Sequence, residues 1–120
     1  MSDKALSPKT LELVAERFRV LAEPARLQIL QTLRDGERPV GALVRELGLQ
    51  QANVSKHLQQ LHRAGIVGRR RSGLQVFYRI LDASIFELCG VVCDSLAQQL
   101  EGQLLAVRQG EPPADDSTRH

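Results

Sequence analysis

The sequence predicts a mainly helical domain that carries one β-hairpin in its second half. Apolar residues recur at helical spacing through most of the 120-residue chain. Two short strand-like segments flank a glycine turn after residue 65. Tryptophan is absent and aromatic residues make up only 3%, so leucine, valine and alanine must fill the core. This composition suits packed helices.

The length indicates one domain. We expect a disordered N-terminus at residues 1–7, a folded domain at 8–109 and a disordered tail at 110–120, because the tail is almost free of apolar residues. No apolar run approaches the roughly 18 residues of a membrane span, and the N-terminus lacks the apolar core of a secretory signal. Two cysteines in such a chain favour reduced thiols. We therefore expect a cytoplasmic protein with no membrane partner.

Two helices are predicted in the first third of the chain. Ser7-Pro8 is a helix start, because serine caps helices and proline suits the first turn. An apolar stripe over residues 11–21 follows at helical spacing. Glu23-Pro24 opens a second helix. Its predicted inward residues are Leu27, Leu30 and Leu33.

A third short helix is predicted to begin at Pro39 and to end at Gly48, a residue that suits a C-cap. Residues 48–50 then form a three-residue turn into a fourth helix at 51–64, which is helix-turn-helix spacing. Apolar residues of the fourth helix at spacing i, i+4 and i+7 must face inward, and the opposite face is polar. These inward residues are Val54, Leu58 and Leu61.

Residues 66–71 and 74–80 are predicted strands, with Ser72-Gly73 as their turn. A last helix carries an apolar stripe about six turns long. The stripe comprises Ile85, Leu88, Cys89, Val92, Leu96, Leu100, Leu104 and Val107. The rest of a chain this short cannot cover it all, which predicts a two-fold homodimer. The alternative is that the first helix covers the stripe within one chain.

Positive charge is concentrated in one part of the chain. Residues 50–79 contain six Lys or Arg and no Asp or Glu, whereas the whole chain is only +2, so the other ninety residues sum to −4. A positive block on a nearly neutral protein indicates a surface that faces a polyanion. The alternative is a solvated helix face beside a charged loop.

A helix with a polar face followed by a basic hairpin suits double-stranded DNA. The helix presents base-reading side chains to the major groove, and arginines at the hairpin tip contact phosphates or the minor groove. The candidate DNA-binding residues are Gln51, Asn53, Ser55, Lys56, His57, Gln59, Gln60, Arg63, Arg69, Arg70, Arg71 and Gln75. A protein-interaction module that has lost DNA binding is an alternative. We find no phosphate loop, catalytic triad or paired carboxylates, and we expect no enzyme activity.

Three segments carry a resemblance to a known family. They are LAEPARLQILQTL (21–33), GERPVGALVRELGLQQANVSKHLQQLHRAGIV (36–67) and RRRSGLQVFYRI (69–80). Over about residues 12–107 the chain resembles the ArsR/SmtB winged helix-turn-helix repressors of bacteria. The resemblance implies an α-α-α-α-β-β-α fold, a homodimer formed through the first and last helices, and a pseudo-palindromic operator. Gln50 departs from the pattern, because these proteins often have a serine cap there.

Many members of that family sense metals through known positions. At the Cys-x-Cys site this chain has Pro39 and Gly41. At the site formed with the last helix, the matching residues are Asp82, Ser84, Ser95 and Gln98. One oxygen ligand does not hold zinc, so we expect neither of the usual zinc sites.

Cys89 and Cys93 remain as a candidate effector site. At spacing i, i+4 they share one face of the last helix, and soft thiolates suit As(III) or another thiophilic ion. The same thiols suit a redox switch. The alternative is that they only pack, since free cysteine behaves as a small hydrophobic residue. Apart from such a thiophilic ion, the sequence indicates no cofactor.

Overall fold

A computed structural model describes the backbone of residues 5–108 and the side chains of residues 5–103. Its elements are α1 (Pro8–Leu21), α2 (Pro24–Leu33), β1 (Arg38–Pro39), α3 (Val40–Leu47), α4 (Gln51–Arg63), β2 (Val67–Ser72), β3 (Gln75–Ile80) and α5 (Ser84–Arg108). One compact unit ends at Asp82 and a second begins at Ala83. The predicted helical fold with a hairpin is confirmed. The predicted tail at 110–120 and residues 1–4 of the predicted N-terminal segment lie outside the described residues.

The predicted helix ends are confirmed at α1 and α3. The Ser7 hydroxyl oxygen accepts a hydrogen bond from the Thr10 backbone N–H at 3.2 Å, and Pro8 occupies the first turn. Gly48 follows α3 with φ +66°, a left-handed conformation that glycine adopts without strain. α4 ends at Arg63, with Ala64 as its C-cap, one residue before the predicted end.

The core of the first unit is aliphatic. Its most buried side chains, each no more than 2% exposed, are Ile29, Leu30, Leu33, Leu43, Val54, Leu58, Leu61, Ile66 and Val67. The predicted inward face of α4 is therefore confirmed. The prediction for α2 is wrong at Leu27, which is 39% exposed, because the inward face of that helix is centred between Ile29 and Leu33.

The sheet has three antiparallel strands in the order β1-β3-β2. The sequence did not predict β1, which is only two residues long and pairs Arg38 with Tyr78. The predicted turn at Ser72-Gly73 is wrong by one residue, because Ser72 still pairs with Gln75. Residues 73–74 form the turn, with φ +63° at Gly73, and glycine is preferred at the first position of a two-residue hairpin turn.

α1 and α5 both keep apolar side chains at the surface. In α1, Leu13 and Phe18 are 65% and 49% exposed. In α5, Ile85 is buried but Leu96 and Leu100 are 53% and 59% exposed. The side chains of Leu104 and Val107 lie outside the described residues. Within the described part of the chain, no helix is long and apolar enough to cross a membrane.

Candidate nucleic-acid interface

α4 is held with one face to the core and one face to solvent. Gly48 ends α3 in a left-handed conformation and begins the turn to α4, and the fully buried Leu43 and Leu58 lie on the inward sides of the two helices. Since α4 buries its apolar face, the polar residues on the opposite face point outward. The exposed predicted residues of α4 are Gln51, Asn53, Lys56, Gln59 and Arg63, and the half-buried ones are Ser55, His57 and Gln60.

A cleft of about 690 Å³ lies between α4 and the sheet. Its lining residues are Pro39, Val40, Gly41, Gln51, Ser55, Gln59, Arg69, Arg70, Arg71, Leu74, Gln75, Val76 and Tyr78. The three α4 residues are spaced i, i+4 and i+8, so they form one row along the helix. The lining contains three arginines and no acidic residue. The cleft therefore pairs hydrogen-bonding side chains on a helix with cations on a strand, an arrangement suited to a polyanion.

The side chain of His57 points toward α2 and not toward the solvent. Its side chain is 15% exposed. Its Nδ1 atom accepts a hydrogen bond from Arg26 Nε at 3.1 Å, and Arg26 Nη1 donates to the Val20 carbonyl oxygen at 3.0 Å. Glu23 Oε2 lies 3.4 Å from His57 Nδ1. These contacts fix α4 against α2, and they leave His57 poorly placed for a base edge.

The hairpin of β2 and β3, here called the wing, carries its three adjacent arginines within a strand. The prediction of a strand over residues 66–71 is confirmed, because Arg69, Arg70 and Arg71 all belong to β2. The prediction that these arginines lie at the hairpin tip is wrong, because residues 73–74 form the tip. Successive side chains of a strand point to opposite faces. Arg69 and Arg71 therefore share one face of the sheet, and Arg70 lies on the other.

Arg70 is engaged by a carboxylate from outside the hairpin. Arg70 Nη2 donates to Glu37 Oε1 at 2.7 Å, and Arg70 Nε donates to Glu37 Oε2 at 2.9 Å. The Arg70 Cζ atom also lies 4.5 Å from the centroid of the Phe77 ring. The hydrogen bonds from Arg70 lower the pKa of the Glu37 carboxyl below its ordinary value of 4.5.

Glu37 is a residue of this site that the sequence did not reveal. No local pattern identifies it, because its partner is 33 residues away in the chain. The only signal was the acid-free block at residues 50–79, which implies that any carboxylate partner of Arg70 must come from another segment.

The two cysteines lie on α5 as free thiols. Cys89 is half-buried and Cys93 is exposed. Among the described residues, no group of three or more His, Cys, Asp or Glu side chains is arranged to hold a metal ion. A role of Cys89 and Cys93 as effector residues therefore stays a prediction from the sequence.

Comparison with known proteins agrees with this architecture. Residues 23–68 match the family model described as bacterial regulatory protein, arsR family. The HTH-type transcriptional regulator Rv0081 of Mycobacterium tuberculosis is 40% identical over 94 residues, which cover 78% of this chain and 82% of the relative. The chain belongs to the arsR family of bacterial regulatory proteins. It is a winged helix-turn-helix transcriptional regulator and not an enzyme.

Solved structures of similar proteins share the fold. The crystal structure of Rv0081 matches with a TM-score of 0.71 and 39% identity, covering 82% of this regulator and 99% of that chain. The solution structure of Mb0332 from Mycobacterium bovis is described as a homodimeric winged helix-turn-helix DNA-binding domain. It matches with a TM-score of 0.65 and 37% identity, covering 78% of this regulator and 91% of that chain.

The bond between Glu37 and Arg70 predicts a specific pH dependence of stability. Because folding lowers the pKa of Glu37, its contribution is present above pH 4.5 and is lost as the pH falls through the lowered value. Glu37→Gln should therefore be less stable than wild type at pH 7, and this difference should shrink toward pH 3. Urea unfolding of both proteins across that range measures it. A difference that is equal at every pH would contradict the prediction.

Proposed function

We propose that this regulator is a homodimeric repressor that binds a pseudo-palindromic operator in double-stranded DNA. The repressor dissociates from the operator when an effector modifies Cys89 and Cys93. The observation that supports DNA binding is the cleft between α4 and β2. Glutamines and a serine on one side face arginines on the other, with no acidic residue in its lining. This combination serves base reading in the major groove and neutralisation of nearby phosphates.

The proposed contacts divide by element. α4 residues that are exposed or line the cleft are proposed to meet base edges and adjacent phosphates. They are Gln51, Asn53, Ser55, Lys56, Gln59, Gln60 and Arg63. Arg69, Arg71 and Gln75 of the wing are proposed to contact the DNA backbone or the minor groove. His57 is proposed to support α4, since Arg26 already engages it.

Exposed apolar side chains on α1 and α5 support the homodimer. Phe18, Leu96 and Leu100 are each about half exposed, and apolar stripes of this kind mark interfaces. The relative Mb0332 is described as homodimeric. A two-fold pair of chains would present two α4 helices to two half-sites one helical turn apart.

An effector that reacts with thiols is proposed for α5. Cys93 is exposed and Cys89 is half-buried one turn away on the same helix, so a thiophilic ion such as As(III) or an oxidant has access to at least one sulfur. A modification within the proposed dimer helix would change the spacing of the two α4 helices and so the affinity for DNA. The half-burial of Cys89 favours the alternative, in which both cysteines pack and the repressor responds to another signal.

DNA binding is tested by fluorescence anisotropy with the regulator's own upstream DNA at several salt concentrations. Arg71→Gln should lower the slope of log K against log salt by about 0.9 for each lost phosphate contact, or about 1.8 per dimer. Gln59→Ala should relax sequence preference at one position of each half-site. Arg19→Gln on α1 removes the same charge and is the control. Salt-insensitive binding by the wild type, or equal slopes for the two arginine variants, would contradict the proposal.

The dimer is tested by introducing a charge into the exposed stripe of α5. Leu96→Glu should raise the dimer dissociation constant at least about tenfold, because a buried carboxylate without a partner is costly. Gln98→Glu adds the same charge at an exposed polar position of α5 and should leave the dimer intact. Sedimentation equilibrium distinguishes the two. A monomeric wild type, or equal changes of the dimer dissociation constant in both variants, would contradict the proposed homodimer.

The effector is tested with reduced protein, oxidised protein and reduced protein with arsenite. Each sample is compared with a variant that carries Cys89→Ser and Cys93→Ser, in the same anisotropy assay. DNA binding should weaken at least about tenfold in the wild type, a coupling of typical allosteric size, and should stay unchanged in the variant. The treatment that weakens binding identifies the effector class. Wild-type binding that no treatment alters would assign both cysteines to packing alone.

A further inference from the structure

One ion pair of the wing, between Glu37 and Arg70, has no part in the proposed DNA contacts. The Arg70 guanidinium donates to both carboxylate oxygens of Glu37 at 2.7 and 2.9 Å. It also lies 4.5 Å from the ring centroid of Phe77. A bidentate ion pair on an aromatic ring restricts the arginine to one geometry. Arg70 is therefore held more tightly than a free surface cation.

The pair spans the whole width of the sheet. Phe77 lies in the central strand, where it pairs with Arg70 of β2 on one side and with Pro39 of β1 on the other. Glu37 immediately precedes β1. The ion pair therefore crosses β3 and joins the outer strand of the wing to the far edge of the sheet. Backbone pairing of β1 with β3 already ties the hairpin to the rest of the unit, and the ion pair adds a side-chain link across the same three strands.

The far edge of the sheet leads directly into the helix-turn-helix. Pro39 ends β1 and is also the N-cap of α3, and α3 is joined to α4 by a three-residue turn. Fixing β2 to the residue before β1 therefore fixes the direction of the wing relative to α4. Arg69 and Arg71, whose side chains leave the sheet on the opposite face from Arg70, line the cleft beside Gln59, and Arg70 contributes to the same lining.

We propose that Glu37 and Arg70 are positioning residues for DNA binding, and that Arg70 makes no phosphate contact of its own. Their ion pair across Phe77 holds the wing so that Arg69 and Arg71 face the DNA before it arrives. Preorganisation of this kind lowers the entropy lost on binding. The inference rests on the proposed function, since it assumes that the cleft is the DNA-binding surface.

Four variants test the inference in the anisotropy assay: Glu37→Gln, Arg70→Gln, the double variant, and Arg71→Gln as the matched control. Each of the first three should weaken binding by about fivefold, without additivity, because all remove the same link. Their salt slopes should equal that of the wild type, whereas Arg71→Gln should lower the slope by about 1.8 per dimer. Circular dichroism at the assay temperature establishes that each variant is folded.

The sign of the Glu37→Gln effect is diagnostic. Removing a negative charge near DNA would by itself tighten binding, so weaker binding supports a positioning role. Arg70→Lys adds a second check, because lysine keeps the charge for any phosphate contact but loses the two-pronged geometry. It should weaken binding as Arg70→Gln does.

Several results would overturn the inference while leaving the proposed function intact. They are tighter binding by Glu37→Gln, additive effects in the double variant, wild-type affinity for Arg70→Lys, and a slope for Arg70→Gln as low as that for Arg71→Gln. Absence of DNA binding by the wild type would instead overturn the proposed function, and this inference with it.

Discussion

Burial of the apolar face of α4 is the constraint on which the rest of the interface depends. Val54, Leu58 and Leu61 are completely buried, and each such side chain contributes roughly 1.5–3 kcal/mol of transfer free energy. The N-cap of α4, Gln50, makes no side-chain capping bond, a deficit of only about 1 kcal/mol. The free energy gained by burying these side chains therefore exceeds the free energy lost at the weak N-cap. Once the apolar face is inward, the polar side chains on the opposite face of α4 point to solvent, whereas His57 is held toward α2 by Arg26.

The sheet forms the other side of the candidate DNA-binding cleft, and contacts between residues that are distant in sequence hold this sheet in place. β1 is short, but it joins the hairpin to the start of α3, so the wing and the helix-turn-helix share one framework. The bond between Glu37 and Arg70 crosses this sheet at a site where both side chains are partly exposed. Exposed ion pairs stabilise a fold only slightly. Its main consequence is therefore the direction of the wing and not the stability of the domain.

α1 and α5 carry the proposed dimer contacts. Large apolar side chains on both helices stay about half exposed in the single chain, and their burial between two chains would supply the free energy of assembly. In the proposed repressor the same helix carries the thiols and the dimer contact. Effector chemistry at α5 and the spacing of the two α4 helices would then be properties of one element.

The sequence by itself determined the helices, the glycine C-cap after α3, the buried face of α4 and the positive block at residues 50–79, because these features follow from local periodicity and composition. Only the tertiary structure revealed β1, the turn at residues 73–74 and the engagement of His57 by Arg26. It also separated Arg70, bound to Glu37, from Arg69 and Arg71 on the other face. Three adjacent arginines are equivalent in sequence. In the structure they differ, because strand alternation puts Arg70 on the other face of the sheet and the Glu37 carboxylate, 33 residues away in the chain, binds it.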